Sequence, residues 1–157
     1  TAAVPELSVQ ATTSGDSLIP YVETSESKAT ERLLLLIDDS LSIRKFVGRM
    51  LESAGYVVHT AVDGEEGLRK ASAECYRLII TDLEMPKLNG YEVIQGLRSR
   101  EQTQQTPVIV MTTRAGDKHR QMALNIGANS YVAKPVEERA LIQEVERWIG
   151  KDAAVRN

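Results

Sequence analysis

The chain is poor in everything that would mark it as a disulfide scaffold, a membrane protein or a nucleic-acid binder. It has one cysteine in 157 residues, Cys75, so it can form no intramolecular disulfide, and no Cys/His spacing of a zinc site is present. Aromatic residues make up only 4% of the sequence, so a core has to be built from Leu, Ile, Val and Ala rather than from stacked rings. Basic residues do not dominate: 19 Lys and Arg face 22 Asp and Glu, a net charge of −3. That argues against a nucleic-acid binder, which would usually show a basic face. No apolar run approaches the roughly 18 residues that read as a membrane span. The start carries no basic-then-apolar signal pattern and no initiator Met. A reducing, cytoplasmic setting is the expectation.

What is present is an alternation of strand and helix signals. Residues 1–30, rich in Ser, Thr, Glu and Ala with Pro5, Gly15 and Pro20, show no sustained period and read as a flexible linker or tail. Residues 31–150 read as one domain and 151–157 as a C-terminal tail. Leu33–Ile37 is a continuous apolar run, the pattern of a strand buried on both faces. Ser40 is placed to cap a helix whose buried face is Ile43, Val47, Met50, Leu51 and Ala54, with Gly55 as its stop. Strands are predicted over Tyr56–Thr60, Leu78–Asp82, Pro107–Thr112 and Ser130–Ala133. Helices are predicted over Glu65–Ala73, Tyr91–Arg98, Lys118–Ile126 and Glu137–Ile149. The helix over Glu65–Ala73 is polar enough to read as an outer, solvated one. Five such βα repeats imply a doubly wound parallel sheet with helices on both faces. Periodicity leaves the strand order open.

The chemistry sits at the strand ends. Asp38 and Asp39 follow the first strand, Asp82 closes the third, and Lys134 follows the fifth. Open parallel sheets place ligands just beyond the carboxyl ends of their strands. Three carboxylates gathered there repel one another unless a hard cation sits among them, and Mg²⁺, which takes oxygen ligands and keeps several waters, is the simplest occupant. A lysine beside it invites a phosphoryl group. Taken singly each residue has a plain alternative: helix cap, turn residue, surface lysine, strand-end hydroxyl.

Four stretches taken together, Leu36-Ile-Asp38-Asp39-Ser40, Ile79-Ile-Thr-Asp82-Leu-Glu-Met-Pro86, Val108-Ile-Val-Met-Thr112-Thr113 and Tyr131-Val-Ala-Lys134-Pro135, resemble the receiver domain of two-component response regulators in order and in spacing. The resemblance implies the flavodoxin-like (βα)5 fold with order 2-1-3-4-5. It implies Asp82 as phospho-acceptor and Asp38 and Asp39 as Mg²⁺ ligands, together with Asp82 and the backbone carbonyl of Glu84. It implies Lys134 pairing with Asp82 and then with the phosphoryl group, and Thr112 and Tyr131 as the switch pair. Pro135 is then a cis proline that aims the lysine inward. Glu84 and Arg114 occupy positions that tune phosphoryl lifetime and are able to pair across the mouth, and Thr113 stands where smaller residues are common, its bulk restricting small phosphodonors. The implied partners are a histidine kinase or phospho-histidine transfer domain and a downstream signalling protein, without nucleic acid or membrane. The segment Thr113 to Ala123, with Asp38 to Arg44, is similar to receivers at the C-terminus of chemotaxis-type hybrid histidine kinases, an origin that the absent Met and the leading tether would suit.

Other readings make different demands. A phosphorylation-independent docking module has no need of the acid pair, Asp82, Thr112 and Lys134, and a phosphate sink would keep them all. A flavin carrier of the same fold needs a Ser/Thr/Gly-rich phosphate cradle where Asp38 and Asp39 stand. An aspartate-nucleophile phosphatase wants a second acid followed by Thr, whereas Glu84 precedes Met85-Pro86. His59 and His119 read as edge or surface residues, Cys75 as inert, and Trp148 as a core anchor.

Overall fold

The structure, a computed structural model, describes residues 32–113 and 116–156. The expected tether and Arg114 lie outside the described residues. Five strands, β1 Leu33–Ile37, β2 Val57–Ala61, β3 Leu78–Asp82, β4 Val108–Thr112 and β5 Ser130–Ala133, alternate with five helices, α1 Leu41–Ser53, α2 Gly64–Ala73, α3 Gly90–Arg98, α4 Asp117–Asn125 and α5 Glu138–Arg156. All strand pairs are parallel, in the order β2-β1-β3-β4-β5, which is the 2-1-3-4-5 order that the resemblance implied.

Period-2 alternation divides the core. Leu33, Leu35 and Ile37 point to one face and meet Ala71 of α2, Val93, Ile94 and Leu97 of α3, and Ala123 of α4. Leu34 and Leu36 point to the other and meet Val47, Met50 and Leu51 of α1 with Leu141 and Val145 of α5. Each fully buried aliphatic side chain contributes about 1.5–3 kcal/mol. β1, β3 and β4 are buried along their whole length, as central strands covered on both faces must be.

The caps follow the sequence. Ser40 Oγ accepts from the Ile43 N–H, and Asp63 does the same for Glu66 at α2. Gly55 stops α1 with φ +99°, a conformation open to glycine at little cost. Some boundaries differ from expectation. Ala54 is an exposed C-cap rather than part of the buried face of α1, because the chain turns there. α2 is not merely solvated: its small residues Gly67 and Ala71 are buried, and a Cβ on Gly67 would collide with Ile37. α5 continues to Arg156 rather than ending at Ile149. Asn89 starts α3 with a reciprocal capping box to Glu92, where the sequence signalled only a loop. Trp148, within α5, is partly buried and packs against the second of these core clusters. Among the described residues no helix is long and apolar enough to cross a membrane.

Candidate functional site

Parallel register brings the carboxyl ends of β1, β3, β4 and β5 into line. Ile37 lies opposite Thr81, Asp82 opposite Met111, and Thr112 opposite Ala133. The residues just beyond are Asp38, Asp39, Asp82, Thr112 and Lys134, so the sheet itself gathers what the sequence scattered. Gly90 presses against the backbone of Asp82 and Leu83 closely enough that a Cβ would strike the Asp82 carbonyl. The β3–α3 loop can therefore fold tightly beside Asp82.

Asp38 is fully buried and held on every side. Its N–H donates to the Ala61 carbonyl at 3.1 Å, and its Oδ1 accepts the Ser40 N–H at 2.9 Å. Its carbonyl accepts from Arg44 Nη1 at 2.7 Å, and its Oδ2 from Lys134 Nζ at 3.0 Å. Asp82, 3% exposed, accepts from the same ammonium on Oδ1 at 3.2 Å and from the Glu84 N–H at 3.3 Å. The resemblance implies that Lys134 pairs first with Asp82; its ammonium lies between Asp82 and Asp38. Its backbone N–H donates to the Thr112 carbonyl at 2.9 Å, and the Lys134–Pro135 peptide bond is cis. Asp39 is exposed at the mouth.

The electrostatics follow from this packing. Burial raises the Asp82 carboxyl above its ordinary value, and the Asp38 charge raises it further; Lys134 and the Glu84 N–H only partly oppose them. Burial alone would lower the Lys134 ammonium, but hydrogen bonds and charges from Asp38 and Asp82 outweigh it and leave it above its usual value. One ammonium, paired with Asp38 and Asp82, thus stands beside three acids whose oxygens come within 4.8 Å of one another. A dense, under-neutralised set of hard oxygen donors with one member open to solvent fits Mg²⁺.

On the far side, Glu84 Oε2 accepts from the Thr112 hydroxyl at 3.3 Å and Oε1 from the Thr113 hydroxyl at 3.0 Å. Thr112 is fully buried. Tyr131 is half-buried beneath the Arg120 guanidinium, 4.8 Å from the ring centroid. It borders a groove of about 350 Å³ between α4, β5 and α5, shared with Arg120, Pro135, Glu137 and Glu144.

Sequence reasoning missed several residues. Arg44 was noted only within a motif, yet it clamps the Asp38 carbonyl. Arg98 ties α3 to two loops, donating to the carbonyls of Gly127, Thr103 and Thr106 and to Asn129 Oδ1. No local signal distinguishes such an arginine from a solvated one at a helix end. His59 on edge strand β2 bonds the Tyr76 hydroxyl at 2.8 Å, and burial pushes that phenol up to about 12.

Comparison with known proteins agrees with this geometry. The family model described as response regulator receiver domain matches residues 34–146. The chain is 35% identical over 124 residues to a transcriptional regulatory protein CpxR homolog of Haemophilus influenzae, covering 79% of this chain and 53% of that protein. It is 33% identical over 125 residues to hybrid signal transduction histidine kinase D of Dictyostelium discoideum, covering 80% of this chain and 8% of that protein. It therefore spans about half of the first relative and a small part of the second. Among solved structures, chemotaxis protein CheY4 of Vibrio cholerae superposes with a TM-score of 0.71 at 36% identity, over 73% of this chain and 96% of that one. So does the receiver domain of a Pseudomonas aeruginosa sensor histidine kinase, solved with magnesium coordinated in its active-site cleft: TM-score 0.71, 33% identity, 76% and 98% coverage.

Proposed function

This chain belongs to the response regulator receiver domain family, and we propose that it accepts a phosphoryl group on Asp82 from a phosphohistidine and alters a partner-binding face in response. The observation that carries this reading is Lys134, whose ammonium bridges Asp38 at 3.0 Å and Asp82 at 3.2 Å beneath the open carboxylate of Asp39.

The Lys134 ammonium and the Glu84 N–H both contact Oδ1 of the Asp82 carboxylate, and Oδ2 is the oxygen that attacks. Attack forms an O–P bond as the N–P bond of the donor breaks, and the departing imidazole nitrogen takes up a proton. A carboxylate is a weak nucleophile, so the surroundings must do most of the work. Burial strips water from Asp82, and Lys134 is already in place to follow the charge onto the phosphoryl oxygens. Mg²⁺ held by Asp38, Asp39, Asp82 and the Glu84 carbonyl would neutralise those oxygens and orient them for in-line displacement. Thr112 offers its hydroxyl to a phosphoryl oxygen, and Tyr131, beside the α4–β5–α5 groove, carries the change to the surface.

The similarity to a hybrid histidine kinase and to a chemotaxis protein supports a place in a chemotaxis-type hybrid kinase. The donor is then a kinase or transfer-domain histidine. The test is labelling with a small phosphodonor and Mg²⁺. The wild type should acquire a base-labile label and Asp82→Asn none in the same time; full labelling of the variant would remove Asp82 from the mechanism.

A further inference from the structure

Glu84 connects the nucleophile to the switch residue through one side chain. Its backbone N–H donates to Asp82 Oδ1 at 3.3 Å, its Oε2 accepts from the Thr112 hydroxyl at 3.3 Å, and its Oε1 accepts from the Thr113 hydroxyl at 3.0 Å. The two carboxylate oxygens are thus spread over consecutive residues at the end of β4. A threonine hydroxyl has a single hydrogen to give. Given to Glu84, it is not available to a phosphoryl oxygen. Thr112 is fully buried, so no solvent acceptor competes for that hydrogen.

We propose that Glu84 is a positioning residue whose carboxylate holds the Thr112 hydroxyl before phosphorylation, so that the phosphoryl group must take this hydrogen from a charged competitor. Thr113 is the anchor that keeps the carboxylate in place. Phosphorylation supplies the release as well as the new acceptor: negative charge added to Asp82 repels the neighbouring Glu84 carboxylate. The threshold for switching is then set by Glu84 and Thr113 and not by the Thr112–phosphoryl bond alone. This inference rests on the phospho-acceptor reading for its purpose, but the hydrogen bond it concerns is present without any phosphoryl group.

The experiment compares the full chain with Glu84→Ala and Thr113→Val. Thr113 is exposed at the end of β4, and valine keeps its shape while removing the hydroxyl. Two quantities are read. One is the Thr112 χ1 population, from three-bond couplings of its methyl group in protein without phosphoryl mimic. The other is the beryllofluoride concentration that half-saturates the Mg²⁺-loaded protein. Loss of one charge-assisted hydrogen bond should lower that midpoint about tenfold in Glu84→Ala, and loss of its anchor about threefold in Thr113→Val. Thr112 χ1 should become averaged in both. An unchanged χ1 in both variants overturns the proposal. So does a midpoint that falls in Glu84→Ala but not in Thr113→Val, because the carboxylate then acts only by repelling the anion. If the wild type fails to label on Asp82, the phospho-acceptor reading falls, while the couplings in unphosphorylated protein still decide whether Glu84 holds Thr112.

Discussion

Replacing Lys134 with methionine separates the electrostatics of the site from its packing. Methionine keeps most of the stem and removes the ammonium that sits 3.0 Å from Asp38 and 3.2 Å from Asp82. At an effective dielectric constant near 20, each of those contacts is a Coulomb attraction of about 5 kcal/mol, and two carboxylates within 4.8 Å repel by about 3 kcal/mol. The variant cannot keep both acids ionised beside each other in a dry site, so it takes up a proton. Neutralising a carboxyl of ordinary pKa near 4 costs about 4 kcal/mol at pH 7 and about 1.5 kcal/mol at pH 5. Those figures bound the loss of stability, and they agree with the roughly 3–5 kcal/mol typical of a broken buried pair. For a domain of this size about 4 kcal/mol corresponds to a melting point lower by about 15 °C at pH 7, and about 1.5 kcal/mol to about 5 °C at pH 5.

The sign of the pH dependence is fixed by the shifts. In the wild type the Lys134 ammonium lies above its ordinary value, so its stabilisation is complete below about pH 10 and is lost only as pH rises through the folded value. The Asp82 carboxyl is already raised, and without the opposing lysine it rises further. A raised carboxyl makes the folded state bind the proton more tightly than the unfolded chain does. The variant must therefore lose stability as pH rises from about 4 toward 7. Thermal melts at pH 5 and pH 7, with and without Mg²⁺, decide the matter. Mg²⁺ should recover more stability in Lys134→Met than in wild type, because the cation replaces the missing charge. A deficit that is the same at both pH values and indifferent to Mg²⁺ would mean that Lys134 acts through its stem, and the electrostatic reasoning would be wrong.

Mg²⁺ at ten times its Kd should stabilise the wild type by about 1.4 kcal/mol, or about 5 °C. Asp39→Asn, at an exposed position, should abolish that shift without lowering the melting point of the metal-free protein; a full shift in the variant would place the ion elsewhere. Thr112→Ala should still label at Asp82, though more slowly, and fail to pass the change on. NMR mapping with beryllofluoride and Mg²⁺ should show shifts over residues 116–135 in wild type only, and equal shifts in both would remove the Thr112–Tyr131 switch. Arg98→Ala should lower stability by about 2–4 kcal/mol, because the carbonyls of Thr106 and Gly127 lose this donor while the Thr103 carbonyl and Asn129 Oδ1 each lose one of two. Asp82 labelling at a temperature where the variant is folded should be unchanged, and a selective loss of labelling would give Arg98 a role in the chemistry.

What the sequence made legible and what it hid have physical causes. Asp38, Asp82 and Lys134 could be found because each follows an apolar run long enough to be a strand, and a parallel sheet must bring such ends together. Ser40, Gly55 and Asp63 could be found because capping is local. The side-chain links inside the site were hidden because they join residues distant in sequence: Glu84 to Thr112 and Thr113, Arg44 to the Asp38 carbonyl, Lys134 to both acids rather than to one. The small buried residues of α2 were hidden because a glycine against Ile37 reads, in sequence, as weak helix rather than as close packing. Strand order came from resemblance and not from periodicity, since any permutation of β1 to β5 would show the same apolar runs. The same reasoning explains why Glu84 is the informative position. The motif places it next to the nucleophile, but only the fold shows that its carboxylate reaches away from Asp82 to the hydroxyls at the end of β4. A residue that contacts Asp82 with its backbone and Thr112 with its side chain is placed to couple the two, and its effect on switching can be measured apart from its effect on phosphoryl transfer.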